Sequence, residues 1–130
     1  MKMFIGGEWT DRDDKLDVLN PFDGSVVDTV PKATPEDVAR AVATAEQGAA
    51  IMRDMPAYER YQILHRASRI MEERLDDLGR TITLEEGKIL PEGLGEAARS
   101  LETITLSAEE AKRLTGETLG LDGASNGAGK

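Results

Sequence analysis

The stretch Ile82-Thr83-Leu84-Glu85-Glu86-Gly87-Lys88-Ile89-Leu90-Pro91 joins two long segments of helical pattern. Gly87 is predicted to end the first of these helices, because glycine accepts the left-handed backbone of a helix C-terminus. Lys88 then lies near the negative end of the helix dipole, where a cation is favourable. Pro91, which fits the first turn of a helix, opens the next one. This join therefore predicts the end of one helix and the start of the next.

Upstream of Gly87, one continuous helix is predicted over residues 57–86. Gly79 falls in its interior and is expected to mark a kink, since an interior glycine costs about 1 kcal/mol relative to alanine. The apolar residues recur every three or four positions and form one stripe, as expected of an amphipathic helix. The stripe consists of Ile63, Leu64, Ala67, Ile70, Met71, Leu75, Leu78 and Ile82.

Downstream, a helix is predicted over residues 92–115, and Gly116 is expected to end it. Its stripe contains several alanines, and small side chains favour close packing against a neighbouring helix. The stripe consists of Leu94, Ala97, Ala98, Leu101, Ile104, Ala108 and Ala111.

A further helix is predicted before these two, over residues 35–53. Thr34 is a favourable N-cap, Pro35 follows at the first helical position, and Asp37 completes a variant of the capping box. Pro56 separates this helix from the next. Its apolar stripe consists of Val38, Ala41, Val42, Ala45, Ala49 and Met52.

Residues 4–30 predict a small antiparallel β meander of two or three strands, with a turn at Asn20-Pro21-Phe22-Asp23-Gly24. Such a small sheet must lean on the helices or on another domain. The fold class is therefore α+β, with a meander followed by three main amphipathic helices within residues 1–119. The glycine-rich segment 120–130 is expected to be a flexible tail or linker.

Composition limits the function classes. The chain has 130 residues, no cysteine and a net charge of −9. One domain is expected, and a disulfide scaffold is excluded. The negative charge argues against nucleic acid and anionic membranes as partners, because both would repel the chain. The first residues lack the apolar core of a signal peptide, so a cytoplasmic location is predicted.

Two glycine patterns resemble nucleotide-binding motifs but fail in context. Gly93-Leu94-Gly95-Glu96-Ala97-Ala98 follows a helix end and a proline, whereas a dinucleotide-binding turn must follow a strand. Gly127-Ala128-Gly129-Lys130 lacks the first glycine of a phosphate loop and the hydroxyl residue after its lysine. We therefore expect no cofactor-binding residue in this chain.

Candidates for acid–base catalysis are equally weak. His65 is the only histidine and is predicted to be a boundary or surface side chain. The acidic pairs 76–77, 85–86 and 109–110 fall on helices, where adjacent side chains point about 100° apart and do not converge. No catalytic residue is predicted.

Several motifs, in their order and spacing, resemble the N-terminal segment of the NAD(P)-dependent aldehyde dehydrogenase superfamily. The resemblance covers residues 4–122, and Leu84-Glu85-Glu86-Gly87-Lys88 is its most specific part. The other motifs are Phe4-Ile5-Gly6-Gly7-Glu8-Trp9, Leu19-Asn20-Pro21-Phe22-Asp23-Gly24 with Val26-Val27, residues 34–42, Glu59-Arg60 with Ile63-Leu64, and Gly95-Glu96. Residues 107–117 resemble bacterial and archaeal branches that oxidise small hydroxy-, phospho- or semialdehydes.

This resemblance implies that the chain is part of the cofactor-binding domain of an α/β enzyme that uses NAD or NADP. In the family, a cysteine thiolate attacks the aldehyde, hydride passes to nicotinamide, and a glutamate-activated water hydrolyses the thioester. The nucleophile, the base and the phosphate-binding turn all lie C-terminal to the segment matched here. The chain alone is therefore expected to be inactive and to bind no dinucleotide.

The resemblance also implies one site and one partner. In some family members a structural monovalent cation lies at positions that correspond to the backbone carbonyl of Leu19 and the carboxylate of Glu85. The expected partner is the remainder of the aldehyde dehydrogenase chain, because the family packs this segment against its nucleotide-binding sheet. Without that sheet, self-association through an exposed apolar helix face is expected.

Two other functions stay open at the level of sequence. The chain could be a stand-alone, non-catalytic helical interaction module, or a small enzyme that uses the acidic pairs. The glycine-rich end favours a segment of a larger dehydrogenase over both. A reading frame that continues into a strand, a glycine-rich turn and a cysteine would decide for the dehydrogenase.

Overall fold

A computed structural model describes residues 1–117, 119, 120, 123 and 125. Helices and two small antiparallel strand pairs confirm the predicted α+β class. In chain order the elements are β1 (Met3–Ile5), β2 (Glu8–Thr10), β3 (Lys15–Leu19), β4 (Val26–Pro31), α1 (Pro35–Asp54), α2 (Ala57–Glu73), α3 (Leu75–Glu86) and α4 (Leu90–Ala111).

The N-terminal strands form two separate hairpins, so the single meander predicted over residues 4–30 is wrong in its connectivity. β1 pairs only with β2, and β3 pairs only with β4. Gly6 and Gly7, both at positive φ, make the first hairpin turn. Between the hairpins Arg12 reaches α1 and pairs with Asp37. This contact ties the segment between the two hairpins to α1.

Helix α1 begins as its sequence predicts. The Thr34 side chain accepts from the Asp37 backbone N–H, and the Asp37 side chain accepts from the Thr34 backbone N–H, which completes a capping box. The helix ends at Asp54, one residue beyond the predicted end. Its apolar stripe has little cover within the chain: Val38 is 56% and Val42 64% exposed.

The helix predicted over residues 57–86 is divided in two at Arg74. The backbone of Arg74 leaves the helical region with φ −118° and ψ 17°. Both α2 and α3 pack against α4, and the break lets each keep its apolar stripe on that helix. The described residues therefore contain four helices where the sequence predicted three; the break falls at Arg74, and Gly79, where a kink was expected, lies inside α3.

Helix α4 spans residues 90–111, whereas the sequence predicted 92–115. It ends in a turn at Lys112 and Arg113, before Gly116. The predicted close packing is present: Gly93 on α4 lies against Gly79 and Thr83 on α3. Ala97, Ala108 and Ala111 of its stripe are buried. Small residues thus let α3 and α4 approach closely.

Two further predictions concern the C-terminal segment and membrane-spanning helices. Of the segment 120–130, predicted to be a linker, the structure describes only residues 120, 123 and 125, so that prediction lies largely outside the described residues. Within the described part of the chain, no helix is both long and apolar enough to cross a membrane.

Candidate functional site

The structure brings the turn after β3 against the end of α3. Gly87 ends α3 with a left-handed backbone, φ 71°, as the sequence predicts. A Cβ added at Gly87 would lie 3.4 Å from Pro21 Cβ and 3.6 Å from the Phe22 backbone nitrogen. The turn itself is closed locally, because Asn20 Oδ1 accepts from the Phe22 N–H and the Asn20 carbonyl accepts from the Gly24 N–H. This junction links a strand end to a helix end.

Leu19 and Glu85, the two residues of the predicted cation site, flank this junction. Leu19 is the last residue of β3 and Glu85 is two residues before Gly87. Glu85 is exposed and makes no ion pair with the other described residues. No group of three or more His, Cys, Asp or Glu side chains within residues 1–117 is placed to hold a metal ion. A cation here would therefore depend on backbone oxygens and one carboxylate.

Lys88 ties the end of α3 to α4. Its ammonium lies 2.6 Å from Glu86 Oε2 and donates to Glu96 Oε2. The Glu86 hydrogen bond, followed by the Glu96 bond, raises the pKa of Lys88. The hydrogen bond from Lys88 in turn lowers the pKa of Glu96. The sequence shows Gly87-Lys88 and Gly95-Glu96 as separate motifs. It does not predict that the Lys88 ammonium and the Glu96 carboxylate form an ion pair.

A second ionic contact that sequence reasoning missed joins Arg12 to Asp37. Arg12 Nε lies 3.0 Å from Asp37 Oδ2, and Arg12 Nη2 lies 2.5 Å from Asp37 Oδ1. Asp37 is only 2% exposed, and the sequence predicted its capping bond to Thr34 but not its pair with Arg12. The Arg12 hydrogen bond, followed by the one from the Thr34 N–H, lowers the pKa of Asp37.

Two grooves follow the face between α2 and α4. The first, about 480 Å³, is lined by both apolar and polar side chains. The second, about 420 Å³, is mostly apolar and also touches the end of α1. Leu64 and Ser107 belong to both, so the grooves are continuous. The other lining residues are Met71, Arg99, Ser100, Thr103 and Ile104 in the first, and Met52, Arg60, Ile63, Glu110, Ala111 and Leu114 in the second.

The remaining sequence candidates do not assemble into a catalytic site. His65 is exposed and stacks on Tyr61 with a centroid distance of 5.3 Å, and no hydroxyl within residues 1–117 bonds to its ring. The 93–98 glycine pattern lies inside α4, and the element directly before α4 is the helix α3 rather than a strand. The 127–130 pattern lies outside the described residues. With no cysteine in the sequence, no thiol nucleophile is available.

Comparison with known families places residues 9–128 within the model of the aldehyde dehydrogenase family. The chain is 41% identical over 118 residues to glutarate-semialdehyde dehydrogenase of Pseudomonas putida, covering 89% of this chain and 25% of that protein. It is 39% identical over 119 residues to α-ketoglutaric semialdehyde dehydrogenase of Bacillus subtilis, covering 89% of this chain and 24% of the relative. The chain thus spans about a quarter of the length of these relatives.

Solved structures give the same result. Aldehyde dehydrogenase 21 of Physcomitrella patens, in complex with the reaction product succinate, matches with a TM-score of 0.90 and 32% identity, covering 98% of this chain and 27% of that one. Succinate-semialdehyde dehydrogenase of Burkholderia pseudomallei matches with a TM-score of 0.83 and 38% identity, covering 91% of this chain and 25% of that one.

Proposed function

Because this chain belongs to the aldehyde dehydrogenase family, we propose that it is the N-terminal part of an enzyme that oxidises a small aldehyde to its acid with NAD or NADP. The observation that carries the proposal is the match over residues 9–128, which spans only a quarter of the relatives' length. The catalytic cysteine, the base and the phosphate-binding turn belong to the remainder of the enzyme. This segment supplies scaffold.

The chain alone is proposed to be inactive. Aldehyde oxidation through a thioester needs a cysteine thiolate that adds to the carbonyl, and the chain has no cysteine. Dinucleotide binding is not expected either, because the 93–98 glycine pattern lies within a helix that follows another helix. The test is calorimetry with NAD⁺ and with NADP⁺, in parallel with full-length enzyme. Heat of binding from the isolated chain would contradict the proposal.

We further propose that the substrate of the parent enzyme is a short aldehyde that also carries an acidic group. The support comes from the relatives, whose names specify glutarate, α-ketoglutaric, malonate and succinate semialdehydes and 3-sulfolactaldehyde. The test compares kcat/KM of the full-length enzyme for succinate semialdehyde and for butyraldehyde, which is similar in length but uncharged. Equal values would argue against an acidic substrate.

The proposed partner is the remainder of the dehydrogenase chain. Large apolar side chains stand exposed on α1, α2 and α4, and burying such surface stabilises a complex by about 25 cal/mol per Å². Val42 on α1 and Leu106 on α4 are 64% and 66% exposed. Without the partner we expect these faces to drive self-association. A sedimentation profile of a single monomer that binds no hydrophobic dye would contradict this expectation.

A monovalent cation at the Leu19 carbonyl and the Glu85 carboxylate also remains a proposal. The described residues fit it in part: the turn after β3 abuts Gly87, and Glu85 makes no ion pair with them. One carboxylate with carbonyl oxygens suits Na⁺ or K⁺, whose role would be to hold the strand end to the helix end.

The cation proposal is tested by thermal melting in NaCl, KCl and a bulky-cation chloride at equal ionic strength. We expect a higher midpoint in NaCl or KCl, and loss of that difference in Glu85→Gln. Glu72→Gln, at another exposed glutamate, is the control and should keep the difference. Equal midpoints of the wild type in all three salts would reject the site.

We propose that the chain has no nucleic-acid or anionic-membrane partner, because its net charge of −9 would repel both, and we keep a cytoplasmic location as a proposal. Fractionation of cells that express the full-length protein, together with a filter-binding assay for DNA and RNA, would test these points. Recovery in the membrane fraction or retention of nucleic acid would contradict them.

The alternative is a stand-alone helical interaction module, which the open grooves along α2 and α4 favour. The two functions differ in what the gene encodes and in what restores activity. Co-expression of this chain with the C-terminal remainder of the enzyme should restore aldehyde oxidation if the chain is a dehydrogenase segment. Lack of activity, together with a reading frame that stops after Lys130, would favour the module.

A further inference from the structure

The connection between the two hairpins crosses the start of α1 and is held there at two points. Arg12 in this connection pairs with Asp37 on α1. In the opposite sense, Arg40 Nη2 on α1 donates to Thr10 Oγ1 at the end of β2, with a separation of 2.9 Å. Each segment thus contributes one arginine to the other. We call residues 10–14, together with these contacts, the strap.

Asp37 combines the strap and the helix cap in one side chain. Its Oδ2 accepts from Arg12 Nε and also from the Thr34 backbone N–H, at 3.0 and 3.1 Å. Oδ1 accepts from Arg12 Nη2 and lies 3.7 Å from Arg40 Nη2. The carboxylate is almost fully buried, so its bonds are not exchanged for water without local opening. Loss of this side chain would therefore weaken the strap and the cap together.

The strap also aligns the first hairpin on α1. Gly6 in the β1–β2 turn faces Thr44, and a Cβ at Gly6 would lie 3.0 Å from Thr44 Cγ2. Apart from this approach, the hairpin covers little of α1: the Phe4 and Trp9 rings contact each other at a tilt of 56° but are 61% and 66% exposed. The position of the hairpin on α1 therefore depends more on hydrogen bonds and the Arg12–Asp37 ion pair than on apolar burial.

Helices α2, α3 and α4 are held differently. Their packing includes the close approach of Gly93 to Gly79 and the Lys88–Glu96 pair, and none of the strap residues 10–14 bonds to them. We propose that the Arg12–Asp37 pair is a clasp that makes the β1–β2 hairpin and the first turn of α1 open and close as one unit, independently of the α3–α4 pair. Such cooperative local units open at a lower free energy than the whole protein.

Hydrogen exchange, followed residue by residue by NMR on the 130-residue chain, tests this clasp. In Arg12→Gln, amides of β1–β2 and of the first turn of α1 should exchange faster by the same factor, about tenfold or more, whereas α3 and α4 keep their rates. Arg80→Gln is the matched control, because Arg80 also pairs with an aspartate, Asp76, but on the surface of α3. It should leave the hairpin unchanged.

A second variant keeps the test decisive if one protein folds poorly. Asp37→Asn removes the charge but keeps an oxygen that can accept from Thr34, so it separates the ion pair from the cap. The clasp predicts that Asp37→Asn and Arg12→Gln each speed amide exchange by the same factor in the β1–β2 hairpin and in the first turn of α1. The double variant should exchange no faster than either single variant. Unequal factors for hairpin and helix start, additive effects, or equal acceleration throughout the chain would overturn it.

Discussion

Helices α3 and α4 approach so closely that a single methyl group would not fit between them, whereas α1 and the hairpins touch through a few polar side chains. In the first region Gly93 lies against Gly79 and Thr83, and buried alanines line α4. In the second, Arg12, Asp37 and Arg40 carry the contact, and most large apolar side chains of α1 are exposed. The comparison teaches that one part of the chain is stabilised by its own packing, while the other leaves an apolar face exposed.

The largest effect is expected from Gly93→Ala. The new Cβ would lie 2.5 Å from the Gly79 carbonyl oxygen and 2.5 Å from Thr83 Oγ1, both within α3. Pushing the helices apart should lower the free energy of unfolding by about 1–3 kcal/mol, as overpacking usually does. Chemical denaturation followed by circular dichroism measures this loss.

Gly95→Ala provides the control for that substitution. Gly95 lies two residues away on the same helix, and no atom lies within 4 Å of a Cβ added there. Alanine there should raise the free energy of unfolding by up to about 1 kcal/mol, through helix propensity alone. If both variants are stabilised, the close approach of α3 and α4 is not what holds this region.

A smaller effect is expected from Gly87→Ala at the junction with the turn after β3. Its φ of 71° costs an alanine about 1–2 kcal/mol, and the new methyl would lie in van der Waals contact with Pro21. Gly24→Ala is the matched control, because its φ is 73° but nothing lies within 4 Å of its added Cβ. The difference between their unfolding free energies isolates the Pro21 contact, and equal losses would mean that the junction adds nothing.

Low pH should destabilise the contact between the first hairpin and α1 before it destabilises the packing of α3 against α4. The pKa of Asp37 is lowered in the folded chain, chiefly by the Arg12 hydrogen bond. A lowered carboxyl pKa stabilises the fold fully above the unfolded pKa of about 3.9, and this contribution is lost as the pH falls through the folded pKa. The melting temperature should therefore fall less in Asp37→Asn than in the wild type between about pH 6 and pH 3.

Other carboxylates with lowered pKa values, such as Glu96 and Glu109, are present in both proteins, so their contributions cancel in this comparison. Parallel pH profiles for the wild type and Asp37→Asn would show that the Asp37 ion pair contributes nothing to acid stability.

Features that depend on neighbouring residues were predictable from the sequence. The Thr34 cap and the left-handed stop at Gly87 were both placed correctly, because each is decided within one helical turn. The break at Arg74 was not predicted, since it depends on where α4 lies relative to α2 and α3. The pairs Arg12–Asp37 and Lys88–Glu96 were missed for the same reason: each joins segments that only the folded chain brings together.

In the candidate site, too, some features could be predicted from the sequence and others depend on the folded chain. The absence of a thiol nucleophile could be read directly from the sequence, and the family was recognisable from the order of its motifs. The Leu19–Glu85 cation site stays a prediction, because its oxygen ligands depend on backbone positions that no motif specifies.

The central claim is that this chain carries a scaffold of an aldehyde dehydrogenase and none of its chemistry. The most direct test incubates the purified chain with succinate semialdehyde and either NAD⁺ or NADP⁺, and follows the absorbance of the reduced nicotinamide. The full-length enzyme, assayed in parallel, should produce reduced cofactor, and the isolated chain should produce none above the protein-free background. Aldehyde-dependent reduction of either cofactor by the isolated chain, free of contaminating dehydrogenase, would contradict the account.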